Sequence, residues 1–211
     1  MNRFCIGAVA LLLATLAARA AEDGRRIQIA WMNGGQYPKM PFNQQMSFPC
    51  EMKLRTFPEG LRICRTPVKE IELLHDKETA WTDLTLKEGE NPLKDMAGDL
   101  LEIRAEIETG DATQVVLTVR GEPIRLSTKD KKLSCLGRDG PLETVGGRVK
   151  LQVLADRTLL EVFGNDGRVA MTTCFLPRPG KTGLALSATG GAARIVAMKV
   201  WTLKSAWGEG K

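Results

Sequence analysis

Alternating apolar and polar residues predict β-strands along most of the chain. In residues 100–107, leucine, isoleucine and alanine alternate with glutamate and arginine, which is the pattern of a strand with one buried face. Shorter segments of the same kind recur to the end of the chain. Strands are predicted over residues 26–32, 46–55, 61–65, 100–107, 114–120, 124–127, 132–136, 148–155, 159–163, 168–175, 183–188 and 193–203.

Turn sequences separate these segments at short intervals. FPEG at 57–60 predicts one hairpin, and GNDG at 164–167 predicts another, because Asn, Asp and Gly tolerate the left-handed backbone of tight turns. Residues 68–74 fit either a strand or a helix, and the polar stretch 75–79 indicates a boundary. With no long helical pattern between the strands, the sequence predicts an all-β protein built around an antiparallel β-sandwich.

The first twenty residues differ from the rest. Arg3 is followed by an almost wholly apolar run over 4–17, and the sequence ARA at 18–20 has the form of a cleavage site. These parts predict a secretory signal peptide, residues 1–20, and a secreted or periplasmic protein that begins near Ala21. A buried N-terminal helix is the alternative. The apolar run is short for a transmembrane span, and we expect no membrane segment after cleavage.

Composition and charge argue against several classes of function. Hydrophobic content of 43% and charged content of 26% over 211 residues are ordinary for a globular protein. The net charge of +5 is mild and the few aromatic residues are not interleaved with basic ones, so nucleic-acid binding is not expected. His75 is the only histidine and is predicted to lie at the surface. Without further histidines or a C-x-x-C pair, no zinc site is expected.

Four cysteines remain after removal of the signal peptide: Cys50, Cys64, Cys135 and Cys174. An even number of cysteines in an oxidising compartment permits disulfides, and the sequence does not choose among the pairings. Cys50 and Cys64 flank the hairpin predicted around 57–60, so we expect this pair to be close in space.

Three stretches of sequence together resemble one enzyme family. They are GRRIQIAWMN at 24–33, QMSFPCEM at 45–52 with RTPVKE at 65–70, and DRTLLEVFGNDGR at 156–168. They look like the C-terminal part of glycoside hydrolase family 32, which contains invertases, levanases and inulinases. The resemblance runs from about Glu22 to the end of the chain, and the third stretch is its most specific part.

The resemblance implies a division of the chain and a candidate sugar contact. Members of the family have a five-bladed β-propeller followed by a β-sandwich, so residues 22–74 correspond to a remnant of the last blade and 78–207 to the sandwich. Trp31 and Asn33 then match positions near the sugar pocket, where an aromatic face covers a fructosyl ring. The alternative is that Trp31 is a core residue.

The carboxylates that the family uses for catalysis have no counterpart here. A retaining glycosidase needs a nucleophile and an acid/base flanking the bond, and the chain lacks the W-x-N-D-P and Arg-Asp-Pro motifs and the upstream Glu-Cys. Glu51 matches a structural strand. Asp156 and Glu161 would lie on opposite faces of a continuous strand, since their separation is odd. We therefore predict no catalytic residues and no cofactor.

Three functional hypotheses follow. In the first, the chain is the C-terminal module of a secreted fructan- or sucrose-cleaving hydrolase and is inactive alone. In the second, it is a fragment or split subunit of an active fructan hydrolase, whose partner is a separate propeller chain. In the third, it is a stand-alone carbohydrate-binding sandwich. A fructan or sucrose-type carbohydrate is the expected ligand in each case.

Overall fold

The computed structural model describes residues 22–32, 37, 40 and 42–206, and its regular secondary structure is almost entirely β-strand. The predicted signal peptide, residues 1–20, lies outside them. In chain order the strands are β1 (Ile27–Gln28), β2 (Trp31–Met32), β3 (Gln45–Met46), β4 (Cys50–Phe57), β5 (Gly60–Pro67), β6 (His75–Leu86), β7 (Leu101–Glu108), β8 (Gln114–Val119), β9 (Glu122–Ser127), β10 (Lys132–Cys135), β11 (Arg138–Pro141), β12 (Arg148–Asp156), β13 (Leu159–Gly164), β14 (Val169–Cys174), β15 (Leu184–Thr189) and β16 (Ala193–Leu203).

A 3-10 helix over Lys69–Leu74 connects β5 to β6. It accounts for residues 68–74, whose pattern fits either a strand or a helix. Pro67 precedes it, and Ile71 is its buried residue. Among the residues that the structure describes, no helix is both long and apolar enough to cross a bilayer.

Two antiparallel sheets form the main body of the protein. The first has six strands in the order β14-β13-β12-β7-β16-β6, and the second has five in the order β11-β10-β9-β8-β15. Val153 in β12 lies between Ile103 of β7 and Val162 of β13, and all three are at most 1% exposed. Such alternate residues from both sheets form one large apolar core. The prediction of an all-β fold with an antiparallel sandwich is confirmed.

The five strands before the helix form smaller sheets, which we call the N-terminal strands (residues 27–67). β1, β4 and β5 pair in that order, and β2 pairs with β3. The hairpin predicted around 57–60 is present, with Phe57 opposite Gly60. Gly60 has φ +113°, a left-handed value that favours glycine at the end of this turn.

Two strands were not predicted from the sequence, and both lie at the edges of their sheets. β6 is a twelve-residue strand with mostly exposed residues, so it lacks apolar alternation. It begins at His75, inside the polar stretch interpreted as a boundary. β11, at the edge of the five-stranded sheet, has four residues and none of them is buried. An edge strand exposed in this way carries little hydrophobic signal.

We predict that stability resides in the core between the two sheets. Leu133 is completely buried there, whereas Leu61 on the N-terminal strands is 65% exposed. Leu133→Ala should lower the free energy of unfolding by about 2–5 kcal/mol, because it leaves a cavity. Leu61→Ala should change it by less than about 0.5 kcal/mol. Urea denaturation of both variants checks this, and equal losses would contradict it.

Candidate functional site

The N-terminal strands pack on the outer face of the six-stranded sheet through a second apolar cluster. Cys50 from β4, with Val68 and Ile71 at the 3-10 helix, meets Leu154 of β12 and Phe163 of β13. Each of these five residues is at most 8% exposed. Every residue of β13 is consequently buried, because one face lies in the main core and the other lies under the N-terminal strands.

Glu161 is a completely buried carboxylate at the centre of this contact. Its Oε1 accepts a hydrogen bond from the Phe48 backbone N–H at 2.7 Å, and its Oε2 accepts one from Thr172 Oγ1 at 3.0 Å. Arg65 Nη2 donates to the same Thr172 hydroxyl at 2.8 Å. Burial raises the pKa of Glu161 above its ordinary value, against the opposing effects of these hydrogen bonds and of the nearby Arg65 charge.

The turn between β13 and β14 forms a second contact between the N-terminal strands and the sandwich. Asn165 and Asp166 have positive φ, as the GNDG sequence predicts. The Arg65 N–H donates to the Gly167 carbonyl at 3.1 Å. A Cβ atom at Gly167 would overlap the Arg65 backbone. Arg168 forms an ion pair with Glu59 on the N-terminal strands. The N-terminal strands therefore pack on the stretch 156–168.

A polar network lies where the 3-10 helix leads into the sandwich. His75 Nε2 is 2.6 Å from Glu102 Oε2, and the His75 ring stacks on Trp201 with centroids 4.3 Å apart. Glu102 is completely buried and also accepts hydrogen bonds from Arg104 and Gln152. The expectation of a surface histidine is therefore wrong. Glu102 was missed because the sequence places it on the polar side of its strand, together with the more exposed Glu106.

Trp31, the candidate sugar contact, lies on β2 directly opposite Met46 of β3. Its side chain is 60% exposed and that of Met46 is 52% exposed, so Trp31 is not a core residue. The pair presents an aromatic ring and a thioether to solvent. Asn33 lies outside the described residues. A role for Trp31 and Asn33 in binding sugar stays a prediction.

A pocket of about 500 Å³ opens beside Met46, between the N-terminal strands and the sandwich. Gln45 joins its two sides: the side-chain amide donates to the Tyr37 hydroxyl at 2.9 Å, and Oε1 accepts from Thr158 Oγ1 at 2.8 Å. Burial is the main reason that the pKa of Tyr37 rises to about 12. Asp156 is the one carboxylate among the described residues that line the pocket, so no acid/base pair is present there.

The three carboxylates considered for catalysis have other partners. Glu51 is 3.1 Å from Lys53 Nζ, and Asp156 accepts a hydrogen bond from the Arg157 N–H at 2.6 Å. The expectation that Asp156 and Glu161 face opposite ways is wrong. The chain turns between them, and the pairing of Leu154 with Glu161 places both carboxylates on the outer face. Glu161 is nevertheless held by Phe48 and Thr172.

All four cysteines are free thiols in the structure. The expected closeness of Cys50 and Cys64 is wrong, because Cys50 lies opposite Pro67, three positions along β5 from Cys64. Three strand residues span about 10 Å, which is beyond disulfide reach. Burial raises the pKa of Cys50 to about 12 and of Cys135 to about 11. Cys174 instead accepts a hydrogen bond from the Gln45 amide at 3.0 Å.

No group of three or more metal-binding side chains comes together within the part of the chain that the structure describes. The expectation that the chain has no metal site stays a prediction.

Comparison with known proteins relates this chain to sugar-cleaving enzymes. A family model described as "Glycosyl hydrolases family 32 C terminal" matches residues 125–202. The levanase of Bacillus subtilis (strain 168) is 35% identical over 216 residues, which cover 89% of this chain and 32% of that enzyme. The levanase of Bacillus sp. (strain L7) is 30% identical over 224 residues, or 93% of this chain and 24% of that enzyme. The chain thus spans a third or less of the length of either levanase.

The fold has a counterpart among solved structures. The crystal structure of exo-inulinase from Aspergillus awamori superposes with a TM-score of 0.74 at 21% sequence identity. The superposition covers 87% of this chain and 41% of that enzyme. At this level of identity the likeness shows a shared fold, which extends over the N-terminal strands as well as the sandwich.

Glu161 should make stability depend on pH. Because its folded-state pKa lies above the ordinary value of 4.5, the native state holds a proton that the unfolded state has released between those two pH values. Stability from this group is therefore complete below 4.5 and decreases as pH rises through the folded-state pKa. In Glu161→Gln this decrease should be absent. Urea denaturation from pH 4 to 8 measures the difference between the two proteins, and a constant difference would contradict the prediction.

A side chain at position 167 should destabilise the protein, because Gly167 lies against the Arg65 backbone. Gly167→Ala places a methyl group against the Arg65 backbone, whereas Gly137 has a similar positive φ with nothing within 4 Å of its Cβ position. Gly137→Ala should cost about 1–2 kcal/mol of stability from backbone strain alone. Gly167→Ala should cost more and should speed proteolysis of the N-terminal strands. Similar cleavage rates in the two variants would count against this contact.

Proposed function

Because this chain belongs to glycosyl hydrolase family 32, as its C-terminal part, we propose that it is the C-terminal module of a fructan- or sucrose-cleaving hydrolase of levanase or invertase type. The observation that carries this proposal is that the levanase match covers 89% of this chain, and so includes both the sandwich and the N-terminal strands that pack together around Glu161. The sandwich acts as a rigid support that holds those strands in place. The strands in turn present Trp31 to solvent.

The module does not hydrolyse sugar alone. A retaining mechanism requires two carboxyl groups about 5–5.5 Å apart across the scissile bond. Glu51, Asp156 and Glu161 are each held by other groups. The nucleophile, the acid/base and the Arg-Asp-Pro aspartate are supplied by a propeller on a partner polypeptide.

In this proposal Trp31 is the residue of the module that contacts the substrate. Its exposed indole ring offers an apolar face to a fructosyl ring, and the family resemblance implies that Asn33 also contributes to substrate binding. In this proposal the function of the module takes place outside the cytoplasm, because residues 1–20 direct its export.

A chimera tests the proposal. In the chimera, the matched region of the Bacillus subtilis levanase is replaced by residues 22–211 of this chain. We expect the purified chimera to release fructose from levan, whereas residues 21–211 alone release none from levan, inulin or sucrose. Turnover by the homogeneous short chain, or a folded chimera without activity, would contradict the proposed function.

Within the chimera, Trp31→Ala should lower kcat/KM for levan by about 10- to 100-fold, because removing a sugar-stacking ring loses on the order of 1–3 kcal/mol. Val145→Ala is the matched control, since Val145 is 64% exposed on the sandwich and should tolerate truncation. Equal activities of the two variants would show that Trp31 does not contact substrate.

A further inference from the structure

We propose that the outer face of the six-stranded sheet carries a second site for a neutral carbohydrate, separate from Trp31, and that this carbohydrate is part of a fructan chain. We call the site the sheet pocket, and its defining residues are Arg104, Glu106, Lys150, Gln152, Ala197 and Lys199. The choice of a fructan rests on the proposed function. The location of the site and the class of its ligand rest on the side chains that line it.

The strand register brings the polar side chains of the sheet pocket together. Gln152 of β12 lies opposite Arg104 of β7, which lies opposite Lys199 of β16. In the next row of the same face, Lys150 lies opposite Glu106. Alternate residues of a strand point to the same side, so both rows line the outer face. The cavity there has a volume of about 400 Å³, which is within the range of roughly 300–1,000 Å³ typical of small-molecule sites.

A buried carboxylate holds the amide of Gln152 in place within the sheet pocket. Glu102 is completely buried, and its Oε1 accepts hydrogen bonds from Gln152 Nε2 at 2.7 Å and from Arg104 Nε at 2.6 Å. Gln152 Oε1 has no hydrogen-bond donor among the residues that the structure describes. A side chain that is already oriented loses little conformational entropy when a ligand binds. Gln152 is therefore a preorganised acceptor for a ligand hydroxyl.

The charges around the sheet pocket are balanced, which favours a neutral ligand over an ion. Lys199 Nζ lies 2.9 Å from Glu78, and Arg104 Nη2 lies 2.7 Å from Glu72. The other charged residues that line the pocket also have partners of opposite sign. An ion would have to compete with these partners. A sugar hydroxyl both donates and accepts, so it can use the remaining N–H groups and carboxylate oxygens of such exposed pairs.

The sheet pocket also has apolar walls. Phe163 of β13 and Trp201 of β16 line it, and they are 2% and 7% exposed, so they form walls and not an open stacking surface. Ala197 is exposed and carries only a methyl group, which leaves the space above it open. Carbohydrate rings present C–H groups as well as hydroxyls. A cavity that combines apolar walls with a few oriented polar groups matches both.

Filling the sheet pocket tests the site. We expect residues 21–211 to bind a short levan oligosaccharide in isothermal titration calorimetry. Ala197→Tyr should weaken this binding by about tenfold or more, because the phenol ring occupies the space of the ligand. Gln152→Met should weaken it by about three- to tenfold, because the oriented amide is lost. Ala185→Tyr, at a half-buried position of β15 in the other sheet, is the matched control and should bind like the unchanged chain. The unfolding midpoint of each variant verifies that it is folded.

The levanase chimera tests whether the sheet pocket serves hydrolysis. A site that holds the fructan away from the catalytic carboxylates raises the effective concentration of a polymer at the active site, and sucrose is too short to benefit. Ala197→Tyr in the chimera should therefore lower the ratio of kcat/KM for levan to kcat/KM for sucrose by about threefold or more. Ala185→Tyr should leave this ratio at its original value.

The outcomes separate this inference from the proposed function. A folded chimera without activity contradicts the proposed function alone, because binding by residues 21–211 is measured independently. No binding of the levan oligosaccharide at about 10 mM, or equally tight binding of a dextran oligosaccharide, overturns the sheet pocket as a fructan site. An active chimera whose ratio is unchanged by Ala197→Tyr also overturns it. Binding that Trp31→Ala abolishes and Ala197→Tyr leaves intact assigns the sugar to Trp31 and likewise overturns it.

Discussion

The arrangement of this protein depends on one buried carboxylate. Glu161 has no exposed surface, and it is satisfied by a backbone N–H from the N-terminal strands and a hydroxyl from its own sheet. Burying such a group is costly unless its hydrogen bonds are made, so the N-terminal strands and the sandwich must meet in one register. Every other contact between these two parts, including the close approach at Gly167, depends on that alignment.

This alignment explains why the two parts differ in their exposed surfaces. The sandwich buries its apolar residues in one large core between two sheets. The N-terminal strands bury only one side, on the outer face of the six-stranded sheet, and leave Trp31, Leu54, Leu61 and Ile63 exposed. A small sheet with apolar residues exposed away from its support is incomplete as a folding unit. Such a surface is typical of an interaction site.

The elements were more predictable than the interactions between them. Alternation identified β7, β12 and β16, because one face of each lies in the core while residues on the other remain partly accessible. It missed β6 and β11, which lie at sheet edges. It did not distinguish Glu102 from its neighbours on the polar side of β7, since period-two alternation shows which face a residue lies on and not what covers that face. Sequence likewise offered no reason to pair His75 with Glu102.

The sequence by itself determined the all-β class, most strands, the tight turn at 164–167 and the resemblance to family 32, because these depend on local pattern and on short motifs. Only the tertiary structure decided that Asp156 and Glu161 share a face, that Cys50 and Cys64 are out of reach of each other, and that the motif at 156–168 receives the N-terminal strands. Those facts depend on strand register and on which sheet face is covered. The strand registers are set within the β4–β5 and β12–β13 hairpins, where a shift of a few positions changes which residues are opposed. The covered face is set by contacts between residues more than 100 positions apart, which no local pattern encodes.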